Sequence, residues 1–243
     1  GSVTRTNGWV NGNLQKNITT SGTKVFEVGD TTNYAPASLN VSATDFAAGD
    51  VLVSTSAISD FSNSPYSTLN LDTTKAIARA WSVTKPSGST FASTYTGTFT
   101  YVAGDLLGTP TVSTLRTAVY NGSSWSYPGT VTTGTNQVIA PDGISPSLTS
   151  TLVFASPITP TISVSGTQNF TYNSFPQGPA SITTASDGDR SLLYTNVGGT
   201  AYSSSTAPTN AGNYQVVASV TESNNYSANS SSPYLFTIDK RAL

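Results

Sequence analysis

Apolar and polar side chains alternate along most of this chain with a period of two. Tyr214-Gln215-Val216-Val217-Ala218-Ser219-Val220 puts Tyr214, Val216, Ala218 and Val220 on one face, and Tyr95, Gly97, Phe99 and Tyr101 alternate with threonines. Such alternation is the mark of a strand with one buried and one wet face. It predicts further strands at residues 9–14, 24–28, 38–43, 50–54, 137–139 and 152–154, then at 161–164, 169–172, 181–184, 192–194 and 234–238. Asn-Gly dipeptides, a strong hairpin signal, punctuate the pattern. Asn121-Gly122 sits between Ala118-Val119-Tyr120 and Trp125-Ser126-Tyr127, the best hairpin in the chain, and Asn11-Gly12 predicts a turn near the start.

Lys75 to Val83 has helical propensity, yet Ile77, Arg79, Trp81 and Val83 alternate with small residues, and Lys85-Pro86-Ser87-Gly88 ends the run as a turn. It reads as strand, and no sustained helical periodicity occurs elsewhere. The expected fold is all-β, two antiparallel β-sandwich (Ig-like) modules in tandem. They span 1–156 and 161–243, joined by the Pro-containing linker 157–160, Pro157-Ile158-Thr159-Pro160. The alternation turns Arg79 inward with Ile77 and Trp81. A buried guanidinium needs a carboxylate. The structural ion pair expected is Arg79 with Glu27, with Asp30 the other candidate; a ligand contact or an exposed guanidinium over the Trp81 face are the alternatives.

Composition changes the picture in two ways. Only 9% of the 243 residues are charged, against about 25% in ordinary soluble proteins, and roughly a third are Ser or Thr. Even so, 12 Tyr, 9 Phe and 3 Trp are spread through the chain, which separates it from disordered polar sequences. A net charge of −2 argues against a nucleic-acid or anionic-membrane surface. No stretch approaches the ~18 apolar residues of a membrane span, so no direct membrane insertion is expected, and without a signal peptide the chain reads as a mature fragment. There is no Cys, Met or His. That excludes disulfides, a Ser-His-Asp triad, a Cys-His dyad and any His-based zinc site.

The stretch from Phe170 onward contains Phe170-Thr171-Tyr172-Asn173, Gln177-Gly178-Pro179, Pro208-Thr209-Asn210-Ala211-Gly212-Asn213-Tyr214, Asn225-Tyr226 and Phe236-Thr237-Ile238-Asp239-Lys240. This order of pieces resembles the MBG-type repeat (about residues 158–243) of large surface adhesins of Bacteroidota, with Ser174 in place of the usual glycine after Asn173. Gly8 to Leu14, Phe26 to Asp30, Arg79-Ala80-Trp81 and Phe99 to Asp105 resemble a β module that precedes such repeats in type IX-secreted surface proteins. The resemblance implies repeated extracellular spacing or adhesion and brings no catalytic residues. Asp30-Thr31-Thr32 and Asp72-Thr73-Thr74 also resemble the O-glycosylation acceptor of that phylum, making Thr31 and Thr73 candidate sites.

Other candidate chemistry is sparse. Asp187 and Asp189 flank Gly188 and are the candidate metal ligands, although an EF-hand loop needs more ligands and a terminal Glu; a plain turn is the bland reading. Scattered acids give no pairing signal for glycoside hydrolysis. Trp125 and Tyr127, and beyond them Trp9 and Tyr226, are candidate glycan contacts, against the general rule that aromatics in sandwiches are core. Asn-x-Ser/Thr sequons at Asn17, Asn40, Asn121, Asn169, Asn225 and Asn229 follow from the Ser/Thr bias. The expectation is a non-catalytic stalk or adhesion segment of an extracellular, cell-surface protein, with no cofactor. Its expected partners are neighbouring repeats of the same chain, surface glycans, or host or substrate surfaces. The alternatives are a carbohydrate-binding module of a larger secreted enzyme and a filament subunit self-associating through edge strands.

Overall fold

The computed structural model describes residues 8–44, 46–198 and 201–242. It is all-β, and its contacts divide the chain into two compact units, Gly1–Pro157 and Ile158–Leu243.

The first unit contains β1 (Val10–Asn11), β2 (Leu14–Ile18), β3 (Gly22–Phe26), β4 (Val28–Gly29), β5 (Ala37–Val41), β6 (Gly49–Ala57), β7 (Asp72–Thr84), β8 (Tyr95–Thr100), β9 (Arg116–Tyr120), β10 (Trp125–Thr130), β11 (Thr132–Gly134), β12 (Gln137–Ile139) and β13 (Thr151–Ser156). Two antiparallel sheets form, ordered β10-β9-β13-β7-β6-β2 and β11-β12-β8-β5-β3. Their inner faces share one core. Trp81, Phe99 and Phe154 lie 5.3 to 5.8 Å apart at its centre, with Phe26, Phe91 and Tyr95 also fully buried. The threonines that alternate with Tyr95, Gly97 and Phe99 along β8 face outward, as the period of two requires.

β7 is buried on both faces from Ala76 to Trp81. Its outer face is lined by Ala76 and Ala80, beside Ala118 of β9 and Val153 and Ala155 of β13. These small side chains let the β6–β7 connection lie flat on the sheet, where Ile58, Leu69 and Leu71 seal a second core. A strand covered on both sides reads in sequence as a near-continuous apolar run, which is why this segment also carried helical propensity.

The hairpin at Asn121-Gly122 is present: β9 pairs with β10, and the Asn121 amide donates to the Ser124 carbonyl at 3.1 Å. Asn11-Gly12, however, makes no hairpin. β1 pairs in parallel with β4, while β2 pairs with β6. Gly12, at φ 128°, turns the chain from one pairing to another, a move its missing Cβ permits.

The second unit contains β14 (Ile162–Ser165), β15 (Asn169–Thr171), β16 (Ser181–Thr184), β17 (Arg190–Asn196), β18 (Ser203–Ser204), β19 (Gly212–Val220), β20 (Asn229–Ser230) and β21 (Tyr234–Asp239). The main sheet runs β15-β21-β19-β17-β18, with β20 beside β19; β14 and β16 form a two-stranded second layer. The pairing is antiparallel except for β15, which lies parallel to β21. Residues 158–160 are fastened into this unit: the Ile158 amide donates to the Asn225 carbonyl at 2.9 Å, and Asn229 Nδ2 donates to the Pro160 carbonyl at 2.8 Å.

Candidate functional site

Arg79 is fully buried in the first unit, with a side-chain exposure of 0%. It sits where β7 bulges. Between the Ile77–Phe154 and Trp81–Leu152 partners β7 places three residues against the single Val153 of β13. The guanidinium reaches two loops. Nε and Nη2 form a bidentate pair with Asp105 at 2.8 and 3.1 Å, and Nη2 contacts Asp30 Oδ2 at 2.8 Å. Burial alone would lower the arginine pKa; the two carboxylates reverse this and raise it.

Both aspartates are held by their own loops. Asp105 ends a 3-10 turn, Ala103–Asp105, and its Oδ2 accepts the Val102 amide at 3.0 Å. The bridge between Ile77 and Leu106 docks this turn against β7. Asp30 caps the loop after β4, where Oδ1 accepts the amides of Thr32 and Asn33 at 2.8 and 2.7 Å and the Thr32 hydroxyl at 3.0 Å. Partial burial pushes the Asp30 carboxyl up, but the Thr32 amide, Arg79, the Asn33 amide and the Thr32 hydroxyl outweigh it. The group is held well below the ordinary carboxylate range. The Asp30 carbonyl accepts Trp9 Nε1 at 2.7 Å. The cluster therefore ties β7 to the loops after β4 and β8. Its carboxylates are occupied by protein donors, which suits a structural joint.

The expected partner Glu27 is not in the cluster. It accepts the Tyr34 hydroxyl instead. Phe26 and Val28 on either side of it are fully buried, so the period of two turns Glu27 away from the core that Arg79 enters. Asp105 was missed. Its signal was the shared turn chemistry of Gly29-Asp30 and Gly104-Asp105, two Gly-Asp strand endings that converge on one arginine.

Trp125 and Tyr127, the candidate glycan contacts, are half-buried against the second core of the first unit. Trp125 packs on Tyr120 at 5.0 Å and Tyr66 at 6.3 Å, and its Nε1 donates to the Pro65 carbonyl and Thr68 Oγ1, both at 3.2 Å. Tyr127 Oη accepts the Asn70 amide at 2.8 Å. Both hold down the β6–β7 connection. Trp9 packs on Tyr34 at 5.9 Å, and Tyr226 bridges Ile158.

Asp187 and Asp189 are exposed on the turn between β16 and β17; the Asp189 amide donates to Thr221 Oγ1 at 2.9 Å. Among the described residues no three Asp, Glu, His or Cys side chains gather as a metal site. Thr31 is exposed at the tip of the Asp30 loop, and Thr73 is half-buried at the start of β7. Asp72 there repeats the Asp30 arrangement, accepting the Thr74 amide and hydroxyl at 3.1 and 2.6 Å. Asp60 does the same with Ser62. These aspartates fold their own turns.

In the second unit the motif residues are packing and turn residues. Phe236 stacks on Tyr214 at 5.6 Å and meets Phe170 and Tyr194 edge-on at 6.0 and 6.1 Å. Tyr194 Oη donates to the Pro179 carbonyl at 2.8 Å, Tyr214 Oη donates to the Asn210 carbonyl at 2.9 Å, and the Gln177 amide donates to the Pro208 carbonyl at 2.9 Å. Gly178 is required by close approach: a Cβ there would lie 2.8 Å from the Tyr194 ring. Ser174 adopts φ 70°, the left-handed conformation that glycine takes freely.

In this tandem all-β protein the charged cluster and the aromatic groups described above are turned to packing. Within it, residues 160–241 match the family model of the MBG domain, a non-catalytic repeat type that suggests a repeat domain of a surface protein. Comparison of the chain with curated proteins and with solved structures gives no significant match.

Proposed function

We propose that this chain is a passive spacer segment of an extracellular surface protein, set between a cell and a distal binding region. The observation that carries the reading is the MBG match together with the fate of its motif residues: Phe170, Gly178, Tyr214 and Phe236 all serve the core of the second unit. A repeat whose shared residues build its interior is kept for its shape. The outer strand faces carry Ser and Thr rather than charge, which suits an exposed surface needing no charged partner.

The edges of the first unit support the same reading over a filament. Edge strands invite pairing between chains unless blunted. β10 carries Pro128 and a bulge between Ser126 and Gly129, and β2 and β3 carry Lys16 and Lys24. Lys16 lies 5.4 Å over the Phe26 ring and donates to the Val25 carbonyl, covering the side where the two sheets' edge strands meet. Partners on this reading are neighbouring repeats. Small-angle scattering across a concentration series, with and without a glycan mixture, tests it. An unchanged monomer supports the spacer. A glycan-dependent change lost in Trp125→Ala would replace it with a sugar-binding module, and growth with concentration would replace it with a filament subunit.

A further inference from the structure

The polypeptide enters and leaves the main sheet of the second unit through neighbouring strands. β15 is its first strand in chain order and β21 its last, and they lie side by side and parallel, Asn169 opposite Thr237, Phe170 opposite Ile238 and Thr171 opposite Asp239. The fastening runs beyond the ladder. The Thr237 amide donates to the Gln168 carbonyl at 2.7 Å and the Tyr172 amide to the Asp239 carbonyl at 2.8 Å. Gln168 Nε2 donates to the Leu235 carbonyl at 3.3 Å, and Tyr234 Oη donates to the Gly166 carbonyl at 2.9 Å. Residues 166–172 are thus bonded along their length to residues 234–239, with Phe170 on Phe236 beneath.

Direction matters under tension. When a domain is pulled from its two ends, its first strand is drawn toward its N-terminus and its last toward its C-terminus. For parallel neighbours these are opposite senses along one axis, so the ladder's bonds share the load. Antiparallel neighbours are opened from one end, one bond after another. Upstream, residues 158–160 are bonded to residues 225–229 and β14 is paired with β16. Load released from those contacts still reaches β15 before β16, β17 or β19, because β15 directly follows β14 in the chain.

We propose that the β15–β21 pair is a shear-loaded mechanical clamp that keeps the second unit closed when the chain is stretched. The clamp is a property of this module under load and stands apart from whether the chain serves as a spacer.

Constant-force single-molecule stretching of the full chain tests it. The first unit, in series, is the internal reference: it releases roughly 500 Å of hidden chain against roughly 250 Å for the second. Because the sequence has no cysteine, the C-terminal handle can be moved to a single Ser232→Cys site. That loads β21 from its N-terminal end, so the same two strands peel apart. At equal force the second unit is expected to survive at least about tenfold longer under end-to-end loading than under peeling, with the first unit unchanged. Equal or reversed lifetimes overturn the clamp. Substitutions give a second arm. The Tyr172 amide faces β21, whereas alternation along the strand turns the Thr171 amide to the open edge. Tyr172→Pro is expected to shorten the end-to-end lifetime about tenfold more than Thr171→Pro; equal shortening overturns the proposal.

Discussion

The first unit surrounds its central sheet with two cores and joins its loops through a buried ion cluster; the second gathers one aromatic cluster beneath a main sheet and a two-stranded ribbon. Trp81, Phe99 and Phe154 fill the space between two broad sheets, and Arg79 links β7 to the loops that carry Asp30 and Asp105. The second unit has no such buried charge pair among its described residues, and Tyr194, Tyr214 and Phe236 organise it. Area explains the difference. The wider sandwich brings loops over its interior, and a polar backbone there needs partners, which Asp30, Asp105 and Trp9 supply. In the smaller unit the Tyr194 and Tyr214 hydroxyls each donate to a carbonyl, of Pro179 and Asn210.

If the two cores are independent, core truncations must separate them. Trp81→Ala is expected to cost about 3–5 kcal/mol and to lower only the first unit's transition in scanning calorimetry; Phe236→Ala should do the same to the second alone. A shift of both transitions by either change would break the comparison. Next in size, Asp105→Ala should destabilise the first unit by about 3 kcal/mol, because it strips the bidentate partner from a buried guanidinium. Glu27→Gln should cost under about 0.5 kcal/mol in the same chemical-denaturation measurement. Equal costs would return Glu27 to the cluster.

Acid sharpens the contrast further. The Asp30 carboxyl has a folded pKa below its unfolded value, so its stabilisation is present above about pH 4 and lost as pH falls through the folded value. The first unit's melting temperature should therefore fall between about pH 4 and pH 2 more steeply in the parent chain than in Asp30→Asn. Parallel curves would remove Asp30 from the account. The smallest effect belongs to the second unit: Ser174→Gly should stabilise it by about 0.5–1 kcal/mol, since serine at φ 70° carries strain that glycine does not.

Much of this was legible along the chain. A period of two fixes which side chains of a strand share a face, so most of the longer strands, the Asn121-Gly122 hairpin and the inward turn of Arg79 could be read locally, as could the MBG motifs, whereas β2, β11, β18 and β20 were not. Partnership could not be. Whether Asn11-Gly12 closes a hairpin or hands the chain to another pairing depends on β4 and β6, strands that lie beyond the turn. Asp105 meets Arg79 across 26 residues, and Trp125 reaches Pro65 across 60. The parallel pairing of β15 with β21 joins the two ends of a module. Alternation is a local property of the pleated backbone, whereas these contacts arise only when the sheets pack and bring distant loops together, and that step left no periodic trace in the sequence.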